Sequence, residues 1–325
     1  MPPRILIVGG AGYIGSCCAA LLQEAGWRTE CFDDLSTGHR QAVRGPLHVG
    51  DIRDRAALSR VLAAGRFDGV MHFAARSLVG ESTRHPLRYF DNNVAGTISL
   101  LQVMADHGVN RLVFSSTCAI YGTPERLPID ESHPRAPVSP YGESKELVER
   151  VLAQVREREG LQVTTLRYFN AAGALPEQGL GESHHPETHL IPLAIQAALG
   201  QRPPLAVFGD DYPTRDGTCV RDYIHVADLA EAHRLAMQRL LDGDAGDAYN
   251  VGTGIGTTVR EVLDSVGRVL GTPVPHHPAP RREGDPPELY AQADRIRREL
   301  GWQPRQPEID DIVRTAAAWA ASPRF

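Results

Sequence analysis

One seven-residue run, Gly9-Gly10-Ala11-Gly12-Tyr13-Ile14-Gly15, constrains this chain more than any other. It follows a β-branched stretch, Ile5-Leu6-Ile7-Val8, and opens an amphipathic one, so it reads as a strand-to-helix turn. It satisfies G-x-G-x-x-G through Gly10, Gly12 and Gly15, and G-x-x-G-x-x-G through Gly9, Gly12 and Gly15. Glycines here permit a tight turn and close approach of backbone to a pyrophosphate, which then sits at the positive end of the helix. Gly-rich turns also join strands to helices for purely structural reasons, and the next strand end decides between the readings. Asp33 falls 18 residues past Gly15, near the ~20 expected of a carboxylate that binds the adenosine ribose. A carboxylate there accepts the ribose hydroxyls and repels a 2′-phosphate, which selects NAD over NADP. Asp34 reads as a turn residue, and Arg40 and Arg44 as solvated surface.

The first half then repeats the same rhythm. Strands are expected at Arg4–Val8, Arg28–Phe32, Leu47–Val49, Val70–Phe73, Arg111–Ser115 and Val163–Arg167, and helices at Tyr13–Ala25, Ala56–Ala64, Pro86–His107 and Pro140–Arg158. Ser139 suits the N-cap of the last helix, Pro140 its first position and Gly160 its end. Such alternation predicts an α/β fold, a Rossmann-type doubly wound parallel sheet. The rhythm changes after residue 170. Ala174–Thr188 reads as a loop into a smaller C-terminal α/β lobe with helices at Leu190–Leu199, Val226–Leu241, Thr258–Leu270 and Ile309–Ala321. Pro273–Pro287 reads as an ordered loop, and His276 and His277 as loop residues. Two units are therefore expected, a cofactor domain over 1–173 and a mainly substrate-binding lobe over 174–325, with 219–256 returning to the first sheet.

Composition excludes several classes. With 34 Lys+Arg against 40 Asp+Glu, the net charge is −6, a poor basis for binding nucleic acid through its phosphates. No apolar run approaches the ~20 residues that cross a bilayer, and the strand at Arg4 leaves no room for a signal peptide. Five cysteines without a C-x-x-C pair suit reduced thiols in the cytoplasm.

A reacting end is also visible. Tyr141-Gly142-Glu143-Ser144-Lys145 places a phenol and an ammonium four residues apart, hence on one helix face. A free tyrosine has a pKa of ~10, and a base working near pH 7 needs about 3 units of depression, or about 4 kcal/mol. The lysine and the positive nicotinamide ring are expected to supply it. Ser115, Ser116 and Thr117 end the preceding strand, where ligands gather in open α/β sheets.

This set, together with Gly50-Asp51-Ile52, His72-Phe73-Ala74-Ala75, Asp91-Asn92-Asn93-Val94, Arg167-Tyr168-Phe169-Asn170, Phe208-Gly209-Asp210-Asp211-Tyr212-Pro213-Thr214, Val220-Arg221-Asp222-Tyr223-Ile224-His225 and Arg281-Arg282-Glu283-Gly284-Asp285, resembles the extended short-chain dehydrogenase/reductase family nearly end to end. Within that family the chain is most similar to the 4-epimerases of UDP-hexoses. The resemblance implies that NAD is held by Gly9, Gly12, Tyr13, Ile14, Gly15, Asp33, Asp51, Ile52, Phe73, Ala74, Ala75, Asn92, Ser115, Tyr141, Lys145 and Tyr168. It implies Tyr141 as acid/base at the sugar 4-hydroxyl, Lys145 on the nicotinamide ribose and Thr117 as a substrate hydrogen-bonding partner. Asn170, His189, Leu190, Arg221, Arg282 and Asp285 would hold the UDP part, with Ala206 and Phe208 against the uracil. The two arginines suit a pyrophosphate on chemical grounds. A homodimer through the helices near 86–107 and 140–158 is also implied.

Departures from the family pattern bear on the substrate. Arg76 stands in a segment where some relatives carry a lysine. Leu289 replaces a bulky tyrosine of some members, which would admit 2-N-acetyl sugars. UDP-glucuronate and UDP-pentoses share the same chemistry. A nucleotide-sugar 4,6-dehydratase would carry an Asp-Glu pair after Thr117, whereas this chain has Cys118-Ala119. A noncatalytic NAD(H)-sensing protein on the same fold is the remote alternative. His184, His185 and His189 show no accompanying carboxylate pattern in this reading, and no metal is expected.

Overall fold

The computed structural model describes residues 1–282 and 284–325; Glu283 of the Arg281–Asp285 motif lies outside the described residues. Strands β1 (Arg4–Val8), β2 (Arg28–Asp33), β3 (Leu47–Val49), β4 (Gly69–His72), β5 (Arg111–Thr117) and β6 (Gln162–Tyr168) alternate with helices. Those helices are α1 (Tyr13–Glu24), α2 (Arg55–Ala64), α3 (Val79–Arg84), α4 (Pro86–Tyr89), α5 (Gly96–Asp106) and α6 (Pro140–Glu159). Downstream come β7 (Asn170–Ala172), α7 (Leu190–Ala198), β8 (Leu205–Phe208), β9 (Val220–His225), α8 (Val226–Leu241), β10 (Ala248–Val251) and β11 (Gly256–Thr258). The chain ends with α9 (Val259–Leu270), β12 (His276–Ala279), β13 (Glu288–Leu289), α10 (Asp294–Leu300) and α11 (Ile309–Ala321).

Among the described residues, seven strands form one parallel sheet in the order β3-β2-β1-β4-β5-β6-β10. Helices cover both faces, which is why β1 is apolar without alternation. Ile5, Ile7, Met71, Val113 and Leu166 pack on one face against α1 and α8 through Cys18, Leu22, Leu229 and Met237. Leu6, Val8, Val70, Leu112 and Phe114 pack on the other against Leu58, Leu100, Met104, Val148 and Leu152. Each such burial is worth ~1.5–3 kcal/mol. The order reverses beside β1, so a crevice opens at the strands' C-terminal ends, where ligands bind in such sheets.

The second set of strands is built around β9, which pairs in parallel with β7 and β13 and antiparallel with β11. Helices α7, α9 and α11 enclose a separate apolar cluster behind it. Residues 226–251 return to the large sheet: α8 packs on it and β10 forms its edge beside β6.

Two expectations are corrected. The helix expected over Pro86–His107 is interrupted: α4 widens into a π-helical turn, Phe90–Ala95, before α5 begins. Asn93 causes this by turning its amide inward to the Arg76 backbone, donating to its carbonyl at 3.0 Å and accepting its N–H at 2.8 Å. Such wide turns recur at functional sites. Within the segment read as the Pro273–Pro287 loop, His276 and His277 open strand β12, parallel to β8. Pro278 lacks an N–H, which only an edge strand such as this tolerates.

Candidate active site

The glycine-rich turn leaves β1 with Gly9 at φ +84°, a left-handed conformation. A Cβ on Gly9 would lie 2.3 Å from Ala74 N, and one on Gly15 2.2 Å from Gly9 O. Gly12 differs: its Cβ would meet only Gly9 O, at 3.5 Å. The outer two glycines are thus needed to close the protein on itself, and the middle one leaves open space at the N-terminus of α1. That is the division of labour a pyrophosphate cradle requires.

Asp33 ends β2 beside the turn, accepting the Ala11 N–H at 2.9 Å and the Leu35 N–H at 2.8 Å. Burial pushes its carboxyl above the usual range, and those two N–H groups pull it back. Phe73 and Ala74 follow β4 and donate their N–H groups to Val8 O at 2.7 and 3.0 Å. Asp51 pairs with Arg53, which holds it below the usual carboxylate range. Ile52 is buried in the core beneath the sheet. Asn92 lies in the π-helical turn and bonds Asn93 at 3.0 Å.

Helix α6 starts as its sequence dictates. Ser139 Oγ accepts the Gly142 N–H at 3.2 Å, Pro140 occupies the first turn, and Gly160 ends the helix at φ +72°. The first turns carry Tyr141 and Lys145 to the end of β5. Lys145, 4% exposed, donates from Nζ to Ser115 O at 2.8 Å and stands 4.8 Å over the Phe114 ring. Burial holds its ammonium down at about 7, partly offset by Glu149.

Burial pushes the Tyr141 phenol well above its ordinary value, and Tyr168 adds to this, while Thr117 lowers it through a hydrogen bond. The protein by itself therefore does not produce the depressed phenol expected from the Tyr-Lys spacing. Desolvation disfavours the phenolate, and Lys145 is turned onto a backbone carbonyl. A low pKa at Tyr141 needs an added positive charge, which a bound nicotinamide ring has.

Behind these residues lies a buried network that the spacing argument missed. Glu149, one turn beyond Lys145, accepts Arg167 Nε at 3.0 Å and Nη2 at 2.6 Å, and Ser116 Oγ at 2.6 Å. Arg167 also donates to Tyr121 Oη at 2.9 Å, and Tyr121 donates to Asn250 at 2.6 Å. Asn93 donates to Ser144 Oγ at 2.9 Å, tying the π turn to α6. Burial holds His233 down at about 4, hence neutral; its Nδ1–H donates to Leu229 O at 2.8 Å and Nε2 accepts Ser115 Oγ at 2.9 Å. An i+4 carboxylate after Lys145 was the one sequence signal available for Glu149.

A second group of expected site residues, centred on β9 and the segment after β12, is basic and aromatic. Arg221, on β9, forms an ion pair with Asp285, and Arg282 stands 4.1 Å over the Phe208 ring, with Ala206 on the same strand. Asn170 opens β7, and Leu190 opens α7 with His189 as N-cap. The His189 ring is committed to Glu182 and Glu187 at 2.6 and 2.9 Å. Leu289 pairs in register with Arg221 and packs on the cluster of Cys118 and Tyr121. Asp222, fully buried, accepts N–H groups of Thr253, Gly254 and Ala291 and so anchors the strand that carries Arg221. Arg76 faces Glu81 at 4.0 Å.

A nucleotide-binding α/β fold with a Tyr-Lys pair at its strand ends is the class this geometry defines. Residues 5–252 match the model of the NAD dependent epimerase/dehydratase family, and the chain belongs to that family. It is 51% identical over 318 residues, 98% of this chain and 97% of the other, to the UDP-glucose 4-epimerase of Rhizobium leguminosarum bv. trifolii. The crystal structure of UDP-glucose 4-epimerase from Brucella ovis in complex with NAD superposes with a TM-score of 0.95 at 48% identity, covering 97% of each chain. That from Bifidobacterium longum, in complex with NAD⁺ and UDP, superposes at 0.93 and 37% identity, covering 98% of each.

Proposed function

We propose that this chain is an NAD-dependent 4-epimerase interconverting UDP-galactose and UDP-glucose. The observation that carries the reading is the meeting of Tyr141, Lys145 and Thr117 at the end of β5, in a chain that also carries the Arg221–Asp285 ion pair and the Arg282–Phe208 contact suited to a UDP group. Bound NAD⁺ supplies the acceptor and donor of the C4 hydrogen. Tyr141 takes the 4-hydroxyl proton as C4 gives up hydride, and returns a proton to the same oxygen when hydride comes back to the opposite face of the 4-keto sugar. Thr117 steadies that oxygen, and Lys145 holds the ribose beside it. Arg221, Arg282 and Asn170 retain the UDP part while the keto sugar turns, so anchoring is strong at the phosphates and loose at the sugar. Gly9, Gly12, Gly15 and Asp33 hold the dinucleotide tightly enough to stay through the cycle.

Conversion of UDP-galactose by protein purified without added NAD is the test, with Tyr141→Phe alongside. Turnover in the wild type and its loss in the variant support the reading. An inactive wild type, even with NAD supplied, discards it.

Leu289 favours a second, broader substrate range. It sits in register with Arg221, and a side chain smaller than tyrosine there would leave more room for a 2-N-acetyl group. Pocket size discriminates only modestly, by ~10–200-fold per methylene-sized change. Leu289→Tyr should lower the rate on UDP-N-acetylglucosamine relative to UDP-glucose; an unchanged ratio removes the argument.

A homodimer through α5 and α6 belongs to the same proposal. Ile98 on α5 and Leu147 on α6 are exposed, as are Leu87 on α4 and Val138 just before α6. Five free, buried cysteines suit a reducing cytoplasm. No helix among the described residues is long and apolar enough to cross a membrane.

A further inference from the structure

The segment entering α7 gathers four side chains that the sequence had left unconnected. Glu182, His184, Glu187 and His189 each offer one donor atom, and these atoms all lie within 4.8 Å of one another. The carboxylates beside the histidines are Glu182 and Glu187, within three residues of His184 along the chain, while His185 stays outside the cluster. We propose that these four residues bind one divalent transition-metal ion, zinc by the character of the ligands, as a structural site. The proposal is independent of which sugar the enzyme takes.

Three observations support it. The spacing suits the ion. Tetrahedral zinc with ligands at ~2.0–2.2 Å separates its donors by about 3.3–3.5 Å. His184 Nδ1 stands 3.2 and 3.6 Å from the two carboxylates, and His189 Nδ1 stands 2.6 and 2.9 Å from them. The His184 distances match that spacing, and those of His189 are shorter.

His189 Nδ1 is already bonded to both carboxylates, at 2.6 and 2.9 Å, whereas His184 is not. His184 Nδ1 is buried and makes no aligned hydrogen bond, although carboxylate oxygens are close. A buried imidazole nitrogen 3.2 and 3.6 Å from two carboxylates is what a cation completes. Finally, the ligand set is chemically selective. Two imidazoles and two carboxylates match zinc and neighbouring first-row ions better than magnesium or calcium, which take oxygen alone.

The cluster is held from outside. Trp319 on α11 donates to Glu182 O at 2.8 Å, and the Tyr13 ring of α1 meets His184 edge-on at 6.5 Å. His189 caps α7 and Tyr13 opens α1, so an ion here would lock the entry to α7 against the cofactor turn. Four protein ligands leave no open position for catalysis. The rival state is an ion network without metal. In it Glu182 and Glu187 outweigh burial and hold His184 up at about 9 and His189 at about 10, both protonated.

The test uses the full-length protein with its cofactor retained, stripped with chelator and titrated calorimetrically with ZnCl₂ at pH 8. A parallel CoCl₂ titration reads the visible spectrum. One ion per chain, an intense tetrahedral cobalt band and a rise in melting temperature are expected. His184→Ala and Glu187→Gln should each weaken binding beyond the ~10–100-fold typical of losing an outer partner, with circular dichroism and cofactor content showing that both remain folded. His276→Ala, a histidine far from the cluster in sequence and strand, should change nothing. Substoichiometric binding, or wild-type affinity in both variants, would overturn the site and leave the ion network.

Discussion

Glu149→Gln tests whether the reacting end rests on a buried charge pair. Glu149 receives Arg167 through two nitrogens, Ser116 Oγ, and Arg135 at 3.3 Å. Glutamine keeps the volume but removes the charge, leaving the Arg167 guanidinium, 1% exposed, without its anion. Breaking one partner of a buried pair costs about 3–5 kcal/mol, because the remaining charge stays desolvated. Unfolding entropy of about 2.1 cal/mol/K per residue gives about 0.7 kcal/mol/K for a chain of 325 residues. The melting temperature should therefore fall by about 4–7 °C, read by scanning calorimetry at one fixed NAD concentration, since bound cofactor also shifts it. A second variant separates charge from packing. Glu149→Leu with Arg167→Met removes both charges and should recover most of the loss, as apolar replacements of buried pairs generally do. A fall below about 1 °C in the single variant, or a double variant as unstable as the single, would refute the reasoning.

Two other perturbations follow from the same site. Burial holds Lys145 down at about 7 against an ordinary 10.5, so between those values the unfolded chain binds more protons and stability rises with pH. At most this adds about 1.4 kcal/mol per pH unit. Lys145→Met lacks that slope, so its stability advantage over wild type should be largest near pH 7 and shrink toward pH 10 in urea unfolding; parallel pH dependences would show that the lysine is not the source. Gly12→Ala places a Cβ where only Gly9 O is near, at 3.5 Å. Its folding stability should stay within about 0.5 kcal/mol of wild type while the purified protein loses its absorbing cofactor, and retention of NAD would show that the open space is not the pyrophosphate cradle.

How much of this was readable in the chain depends on the range of the cause. The α6 caps, the β1 turn and the first six strands of the large sheet rest on contacts within a few residues, and they lie where the sequence predicts them; its seventh, β10, was not expected as a strand. The π turn at Phe90–Ala95 does not, because its cause is Asn93 reaching Arg76, 17 positions away. Strands β8, β9, β12 and β13 were invisible for the same reason: each is either short or interrupted by polar residues, and becomes a strand only when a distant partner supplies the hydrogen bonds.

The candidate site divides the same way. Motif residues could be named from sequence because Gly9, Gly12, Tyr141 and Lys145 act through backbone geometry and helical spacing, both local properties. The electrostatics could not. The elevated phenol of Tyr141, the depressed ammonium of Lys145 and the Glu149–Arg167 pair all follow from burial, which is a property of the packed chain. The sequence by itself determined the alternation of elements, the turn glycines and the chemical types at the strand ends. Only tertiary structure decided which of those groups lose water, and which carboxylate stands beside Arg167, because desolvation and charge pairing act through space rather than along the chain.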